Sequence, residues 1–453
     1  MNFNIKFISM KPTNPKEIPK YVPEFLPFAV KLGLSVMYDG RTYTNPDAKC
    51  PACGSKHIWR IGHAKKAFTR MITNGGFTEV NVMLQRYVCV DCRKTWTDDG
   101  PFYPNTDIGK PIVDLILAPS MNNSSYAVEN TLASMGIQVS SDVILKYIRI
   151  FADRAREKAP LTKGAGLYGI NMLQLLFGVR NAGELSERLG KELESCSDET
   201  YPRRKGALKK LMEEVRVNPE LARQQNKIVD GQGSVKFPDS FTLALSYLPG
   251  AEAYASLITT PMPFNELLAE ILALALTGTS FNVTDGSNKY NSMNNHVLDP
   301  VHRARTELKH DKKFRDMVKR ARELKKAEAS SLTESQRKEV HDERMKLLDE
   351  LSKYAKDKYK AILDDILDQI KEQHPEYFGK EGKFTGHITS NSMEGGNWRL
   401  KYLIRLPFIR TDTMAGKGIL AAIKDSVYTM RKGKVKTSAA HRIGCFSFAK
   451  VMG

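Results

Sequence analysis

The sequence has no apolar run long enough to cross a bilayer. Its longest, Leu267–Leu276, is broken by Glu270 and marks a buried helix instead. The N-terminus lacks a basic segment followed by an apolar one, so no secretory signal is expected and the cytoplasm is the default location. Cysteine is scarce, with six in 453 residues, and an unexported chain is not expected to rely on disulfides. No internal repeat is visible. Acidic residues are in deficit, 51 Asp+Glu against 69 Lys+Arg, which leaves a net charge of +18. That excess points to a large polyanion as partner, nucleic acid before an anionic membrane. With 41% hydrophobic residues, the chain can build roughly two or three soluble domains.

Four of the six cysteines stand in two close pairs, Cys50-Pro51-Ala52-Cys53 and Cys89-Val90-Asp91-Cys92. Each CxxC turn aims two thiolates at one point, and two turns together make the closed sulfur cage of structural Zn²⁺. The β-branched, near-alternating stretch 78–88 between them reads as strand, as in a zinc ribbon. A redox motif of the thioredoxin kind needs only one CxxC, opening a helix. His57 and His63 are surplus to a four-thiolate shell and read as surface residues. Between Cys50 and Trp96 lie eight Lys+Arg against Glu79 and Asp91, so this module is basic.

Residues 1–49 are a Pro-rich arm and 50–100 the ribbon. Residues 110–158 read as helices, with Ser124–Met135, a turn at Gly136–Ser140 and a second helix Ser141–Lys158. This is the length and turn chemistry of a helix-turn-helix, which would put Ser141 and Lys146 at the front of a DNA-reading helix. A helical linker is expected over 160–225, with a loop around Ser195–Arg204. Strands at Asn226–Val235, Ser240–Leu248 and Ala253–Thr260, a helix at Phe264–Leu276 and a strand at Ser280–Thr284 make the first part of an α/β core, 226–300. A charged helical insertion of hairpin form is expected over 301–380, with apolar stripes at Leu347, Leu348, Leu351, Tyr354 and Leu363, Ile366, Ile370. The core resumes over 381–430, and 431–453 form a basic tail. From Gly396 to Gly453 there are 12 Lys+Arg and two acids.

Asp230 and Asp285 each stand where an apolar strand runs out into glycine, which suits carboxylates that must converge rigidly on a metal. Glu394, in Ser390-Asn391-Ser392-Met393-Glu394-Gly395-Gly396-Asn397-Trp398-Arg399-Leu400-Lys401, falls in the first turn of a helix that Ser390 or Ser392 can cap. Three hard oxygen ligands suit Mg²⁺ or Mn²⁺, and two such ions can activate the attacking oxygen and stabilise the leaving oxygen in phosphodiester transfer. Any one Asp before Gly is more simply a turn residue. The set carries the reading.

The order of these features, closing on Asn391, Glu394, Gly395, Asn397 and a basic helix, resembles prokaryotic insertion-sequence transposases of the DDE type. Val297–Arg303 is similar to the strand–helix unit that follows their second Asp. The resemblance covers roughly 50–158 and 226–430. It implies a multidomain chain with a ribonuclease-H-like catalytic core, with Asp230, Asp285 and Glu394 as catalytic residues. It also implies strand cleavage and transfer on double-stranded DNA, at terminal inverted repeats and target, by a homo-oligomer, with Ser141, Lys146, Asn397, Arg399 and Lys401 on DNA. Many relatives carry a second acid directly after the first Asp, whereas Gly231 follows Asp230. Asp198-Glu199 has that acidic pair without a preceding apolar strand, and Asp239 is another rival for the first position. The competing functions are a non-enzymatic zinc-ribbon/helix-turn-helix regulator and an inactive transposase relic.

Overall fold

The computed structural model describes residues 44–200 except 46, 74–75, 98–99 and 163–166, and 242–389 except 286–287, 294 and 331–332. It also describes 411–427, 446–453 and the two-residue strands 228–229, 235–236, 430–431 and 434–435. The chain divides into two compact units. One comprises residues 1–158, 403–424 and 445–453, the other 159–402 and 425–444. Among the described residues, no helix is long and apolar enough to cross a membrane.

In the first unit, β1 (Ile58–Thr73) and β2 (Gly76–Cys89) pair antiparallel along their whole length, and β3 (Thr95–Thr97) adds to β2. The hairpin is far longer than the 78–88 strand read from sequence. β1 escapes a search for alternation because bulges between Arg60 and Gly62 and between Ala67 and Thr69 shift its phase. The hairpin buries Phe68, Val82, Leu84 and Tyr87, and the Tyr87 ring stacks on Trp96 with centroids 5.4 Å apart.

Helix α1 (Lys110–Ser120) leads into α2 (Ser125–Ser134) and α3 (Ser141–Lys158). Ser124 caps α2, its Oγ accepting from the Ala127 N–H at 3.1 Å. Gly136 stops α2 in the left-handed region, at φ +77°, where a side chain would be strained. The two helices and the turn fall where the sequence reading put them. The turn is also tied to the ribbon: Ile72 N donates to Gly136 O at 2.8 Å and Gln138 N to Arg70 O at 2.9 Å. Ribbon and helices therefore fold as parts of one unit.

Two C-terminal segments complete that unit. Residues 431–453 read as a tail, but the last helix, Phe448–Met452, is packed: Val451 and Met452 are buried and the Phe448 ring meets Phe151 at 5.9 Å. Residues 411–424, assigned from sequence to the second part of the core, also belong here, in the helix Thr411–Val427. A Cβ on Gly416 would lie 2.5 Å from the Ile148 carbonyl oxygen, so glycine is what lets this helix touch the backbone of α3.

The next residue, Lys417, is 1% exposed, and its Nζ donates to Ser120 O at 3.1 Å and Asn123 O at 2.7 Å. Burial pulls its pKa down to about 8. A lysine depressed on folding leaves the unfolded chain holding the extra proton between the two pKa values, so stability rises with pH across that window. Relative to Lys417→Met, the parent is expected to gain about 2 kcal/mol between pH 8 and 9.5, read from paired denaturant titrations. A pH-independent difference would refute the buried charge.

The second unit is built on a six-stranded sheet. Its members are β4 (Tyr168–Asn171), β5 (Ser195–Thr200), β8 (Thr242–Leu248), β9 (Ala253–Thr260), β10 (Asn282–Thr284) and β11 (His296–Leu298), in the order β11-β10-β5-β8-β9-β4. β5 runs parallel to β10 and antiparallel to β8, and β10 runs parallel to β11. Two of these strands lie inside the stretch 160–225 expected to be a helical linker, together with α4 (Met172–Phe177) and α5 (Ala182–Leu189). β5 itself falls where a loop was expected. Conversely, the first strand expected in the core, Asn226–Val235, is the two-residue β6 (Ile228–Val229), which pairs only with β7 (Val235–Lys236), outside the six-stranded sheet.

β5 lacks apolar residues apart from Cys196, yet its Ser195, Cys196, Ser197 and Thr200 are fully buried. Its two serine hydroxyls are satisfied across the sheet: Ser197 Oγ meets Ser246 Oγ at 2.8 Å, and Ser195 Oγ donates to Asn282 Oδ1. Small residues on this side leave room for α6 (Glu266–Ala273), where Ser256 Oγ donates to Leu272 O at 3.2 Å.

After β11, Asp299 Oδ1 caps α7 (Pro300–His310), accepting from Val301 N at 2.7 Å and His302 N at 3.1 Å. α8 (Lys312–Glu328) and the 40-residue α9 (Glu334–Gln373) then form the expected hairpin, with a Thr333/Gln336 capping box opening α9. Leu351, Ile362, Ile366 and Ile370 are the buried stripe, while Leu348 is exposed. Beyond the hairpin, Tyr377 returns to the sheet. Its OH donates to Ser280 Oγ at 3.2 Å and its ring packs on Phe281 at 5.2 Å.

Candidate metal centres

Among the described residues, two groups of side chains can converge on a cation: Cys50, Cys53, Cys89 and Cys92, and Asp198, Glu199 and Asp285, each with ligand atoms within 4.8 Å of one another.

The sulfur group is formed by two similar turns. Gly54 N donates to Cys50 O at 2.8 Å and Arg93 N to Cys89 O at 3.1 Å, and Gly54 and Arg93 both have positive φ, +73° and +62°. The turns face each other with Cys50 Sγ 3.5 Å from Cys92 Sγ and Cys53 Sγ 3.6 Å from Cys89 Sγ. Burial works against a charge on Cys50, but the Cys53 and Ala52 N–H groups outweigh it and bring the thiol to about 7. Four thiols held this closely can hold a metal ion such as zinc. His57 and His63 are exposed, and His57 pairs with Asp91 at 3.6 Å, as expected of surface histidines.

The carboxylate group follows from strand register. Val283 on β10 lies beside Cys196 on the parallel β5. Two residues further along the chain come Asp198, still on β5, and Asp285, just past the end of β10, and their carboxylates converge there. Glu199 is next on β5, and its side chain is only 7% exposed. The buried Tyr290 OH donates to its Oε2, and Lys289 Nζ lies 3.7 Å from its Oε1. Burial and the Glu199 charge push the Tyr290 phenol far above its ordinary range, so it stays a donor. His296, bonded to Thr284 Oγ1, is pulled down by burial despite Asp285 nearby. Three clustered hard oxygens match Mg²⁺ or Mn²⁺ in chemistry.

Of the acids singled out from sequence, Asp285 stands in this cluster and Asp198, held there only as a rival, stands beside it. Asp230, Asp239, Glu394, Asn397, Arg399 and Lys401 lie outside the described residues. Thr389, five residues before Glu394, is described: its carbonyl accepts from Cys196 Sγ at 3.6 Å, beside β5. His387, two residues earlier, pairs with the buried Glu194 at 2.8 Å. Sequence reasoning missed Glu199, Lys289 and Tyr290. The acidic pair itself was the one signal available, and it was set aside for want of an apolar strand before it.

At the front of α3, the Ser141 N–H donates to Glu129 at 3.0 Å and Lys146 Nζ pairs with Asp107 at 2.8 Å. Any contact of Lys146 with DNA therefore exchanges one anion for another. Compared with known proteins, the sequence matches no family profile and no curated protein.

Proposed function

We propose that the chain is a metal-dependent DNA transposase, which cuts and joins strands at the ends of an insertion sequence. The observation that supports this best is the convergence of Asp198, on β5, and Asp285, just past the end of the parallel neighbour β10, with ligand atoms within 4.8 Å. Rigid strand-borne acids are what a two-ion site for phosphodiester chemistry needs. Asp198 is the preferred first ligand over Asp230, because it stands on a central strand beside Asp285, which fixes a carboxylate rigidly. Glu394 completes the set: five residues span at most about 17 Å, so from Thr389 it is within reach of both acids. Water, and then a freed 3′-hydroxyl, would attack phosphorus while the opposite P–O bond breaks.

A central acid-bearing strand, with antiparallel neighbours on one side and parallel ones on the other, and an insertion before the last acid favour a ribonuclease-H-like core. The cysteine cage favours structural Zn²⁺, and the helix-turn-helix with the +18 charge favours double-stranded DNA as the partner of a homo-oligomer. Ser141, Lys146, Asn397, Arg399 and Lys401 are the contacts proposed there. A regulator without chemistry has no use for the paired strand acids, and a relic that binds but does not cut would keep them only by chance.

The test is direct. Purified zinc-loaded chain is mixed with DNA carrying the repeats that flank its gene, in Mg²⁺ or Mn²⁺. Cutting at the repeat ends and joining to a target are expected. Folded chain that binds these ends yet cuts with neither ion would leave the regulator or the relic.

A further inference from the structure

Lys289 brings a cation to the carboxylate cluster, and buried neighbours fix where it stands. Beyond Asp285 the chain makes a turn of 3₁₀ helix, Asn288–Tyr290. Asn291 N donates to Asn288 O at 3.2 Å and Met293 N to Tyr290 O at 2.9 Å, which closes the turn. Tyr290 pins it to the sheet. It is fully buried, its ring lies 5.1 Å from that of the buried Phe264, and its OH donates to Glu199 Oε2. Lys289, the residue before it, thereby reaches the other oxygen, Glu199 Oε1, at 3.7 Å. Glu199 in turn has a ligand atom within 4.8 Å of those of Asp198 and Asp285. An ammonium is thus held beside the acids by a carboxylate that Tyr290 itself holds.

The pair adds little to the fold. At 3.7 Å it is longer than a hydrogen bond, and the Lys289 side chain is 39% exposed. The buried Glu199 already has the Tyr290 hydroxyl as a donor. What a half-exposed cation can do beside metal ligands is set by the substrate. Two divalent ions serve the attacking and leaving oxygens of a phosphodiester, while negative charge also grows on its non-bridging oxygens as phosphorus becomes five-coordinate. We propose that Lys289 is a further catalytic residue, donating to a non-bridging oxygen of the scissile phosphate, with Glu199 and Tyr290 as its positioning residues. The inference rests on the reading of the chain as a transposase. In the cut, the water oxygen bonds to phosphorus as the P–O3′ bond breaks. One proton leaves the water for solvent, and the departing oxygen takes one from solvent. Lys289 gains and loses no proton; it offsets charge.

The experiment uses full-length, zinc-loaded chain preassembled on DNA carrying the repeats that flank its gene, so that cutting is read apart from binding. Lys289→Ala should slow single-turnover cutting about a hundredfold and change end binding less than about twofold. Lys289→Arg should restore most of the rate, because a guanidinium also donates to phosphate. Sulfur is then placed at each non-bridging oxygen of the scissile phosphate in turn. One of the two substitutions should slow the parent about tenfold in Mg²⁺ and Mn²⁺ alike, and should not slow Lys289→Ala further. With Ca²⁺, whose looser coordination slows the chemistry, end DNA should shield Lys289 from acetylation, read by mass spectrometry. DNA ending one nucleotide short of the scissile phosphate should shield it less. The proposal is overturned if Lys289→Ala cuts like the parent, loses binding as much as cutting, or keeps the full sulfur penalty. It is overturned equally if both DNAs shield Lys289 alike. The transposase reading then stands, provided the parent cuts and Asp285→Asn does not. If the parent cuts with neither ion, both fall.

Discussion

Asp198→Asn and Asp285→Asn are each expected to lower strand cleavage by about a thousandfold or more, with folding and end binding nearly unchanged. An amide oxygen is neutral and cannot offset the repulsion between two divalent ions about 4 Å apart. The lost stabilisation therefore falls on the transition state, where charge accumulates. Glu394→Gln should behave alike. Glu199→Gln keeps an acceptor for Tyr290 but loses its charge beside Lys289, so a smaller loss, about tenfold, is expected. Asp230→Asn and Asp239→Asn are the discriminating variants. Both should cut like the parent in a plasmid assay with Mn²⁺. If Asp230→Asn is dead and Asp198→Asn active, the first ligand has been misassigned. If Asp198→Asn, Asp285→Asn and Glu394→Gln all cut normally, the carboxylate mechanism is wrong.

Removing the metal from the cysteine cage should be as drastic for structure. Metal analysis should find about one Zn²⁺ per chain, and Cys53→Ser or a strong chelator should unfold the ribbon. In so small a module the binding free energy, about 10–16 kcal/mol in zinc-finger peptides, is the folding free energy. The damage should spread further than an isolated ribbon would suggest. β1 is bonded to the turn at Gly136 and Gln138, so the helix-turn-helix loses two backbone partners when β1 melts. Amide exchange should quicken at Ile72 and Gln138 as well as along β1 and β2. A zinc-free chain whose β1 and β2 amides stay protected would contradict this.

The ribbon, the helix pair and the hairpin insertion were legible because each is encoded locally. CxxC spacing, a capping serine, a stop glycine and a helical stripe all act within a few residues. β5 was not legible, and with it the place of Asp198 beside Asp285. Ser195-Cys196-Ser197-Asp198-Glu199-Thr200 has the composition of a loop, and it becomes a central strand only because Ser246 and Asn282, 49 and 87 residues away, satisfy its hydroxyls. Hydrophobic patterning cannot register a strand whose burial is compensated by hydrogen bonds to distant partners. Asp230 drew the first assignment because a short apolar run before Asp-Gly looks like a strand end wherever it stands. Tyr290 and Lys289 were invisible for the first reason: their partner, Glu199, is about 90 residues away.

The helical insertion interrupts the six-stranded sheet without loosening it. The chain leaves at Asp299, buried as the cap of α7, and returns at Tyr377, anchored on Ser280 and Phe281. Between these points α8 and α9 run out and back as neighbours, bridged by pairs such as Arg320–Glu343 and Glu328–Arg344. The entropy of closing the detour is met inside the hairpin itself, and it grows only slowly with length in any case. Whole turns added to or removed from both arms near residue 330 would move the tip, on an α9 about 60 Å long, and leave Asp198 and Asp285 where they are. The acids see two fixed moorings, not the length of rope between them.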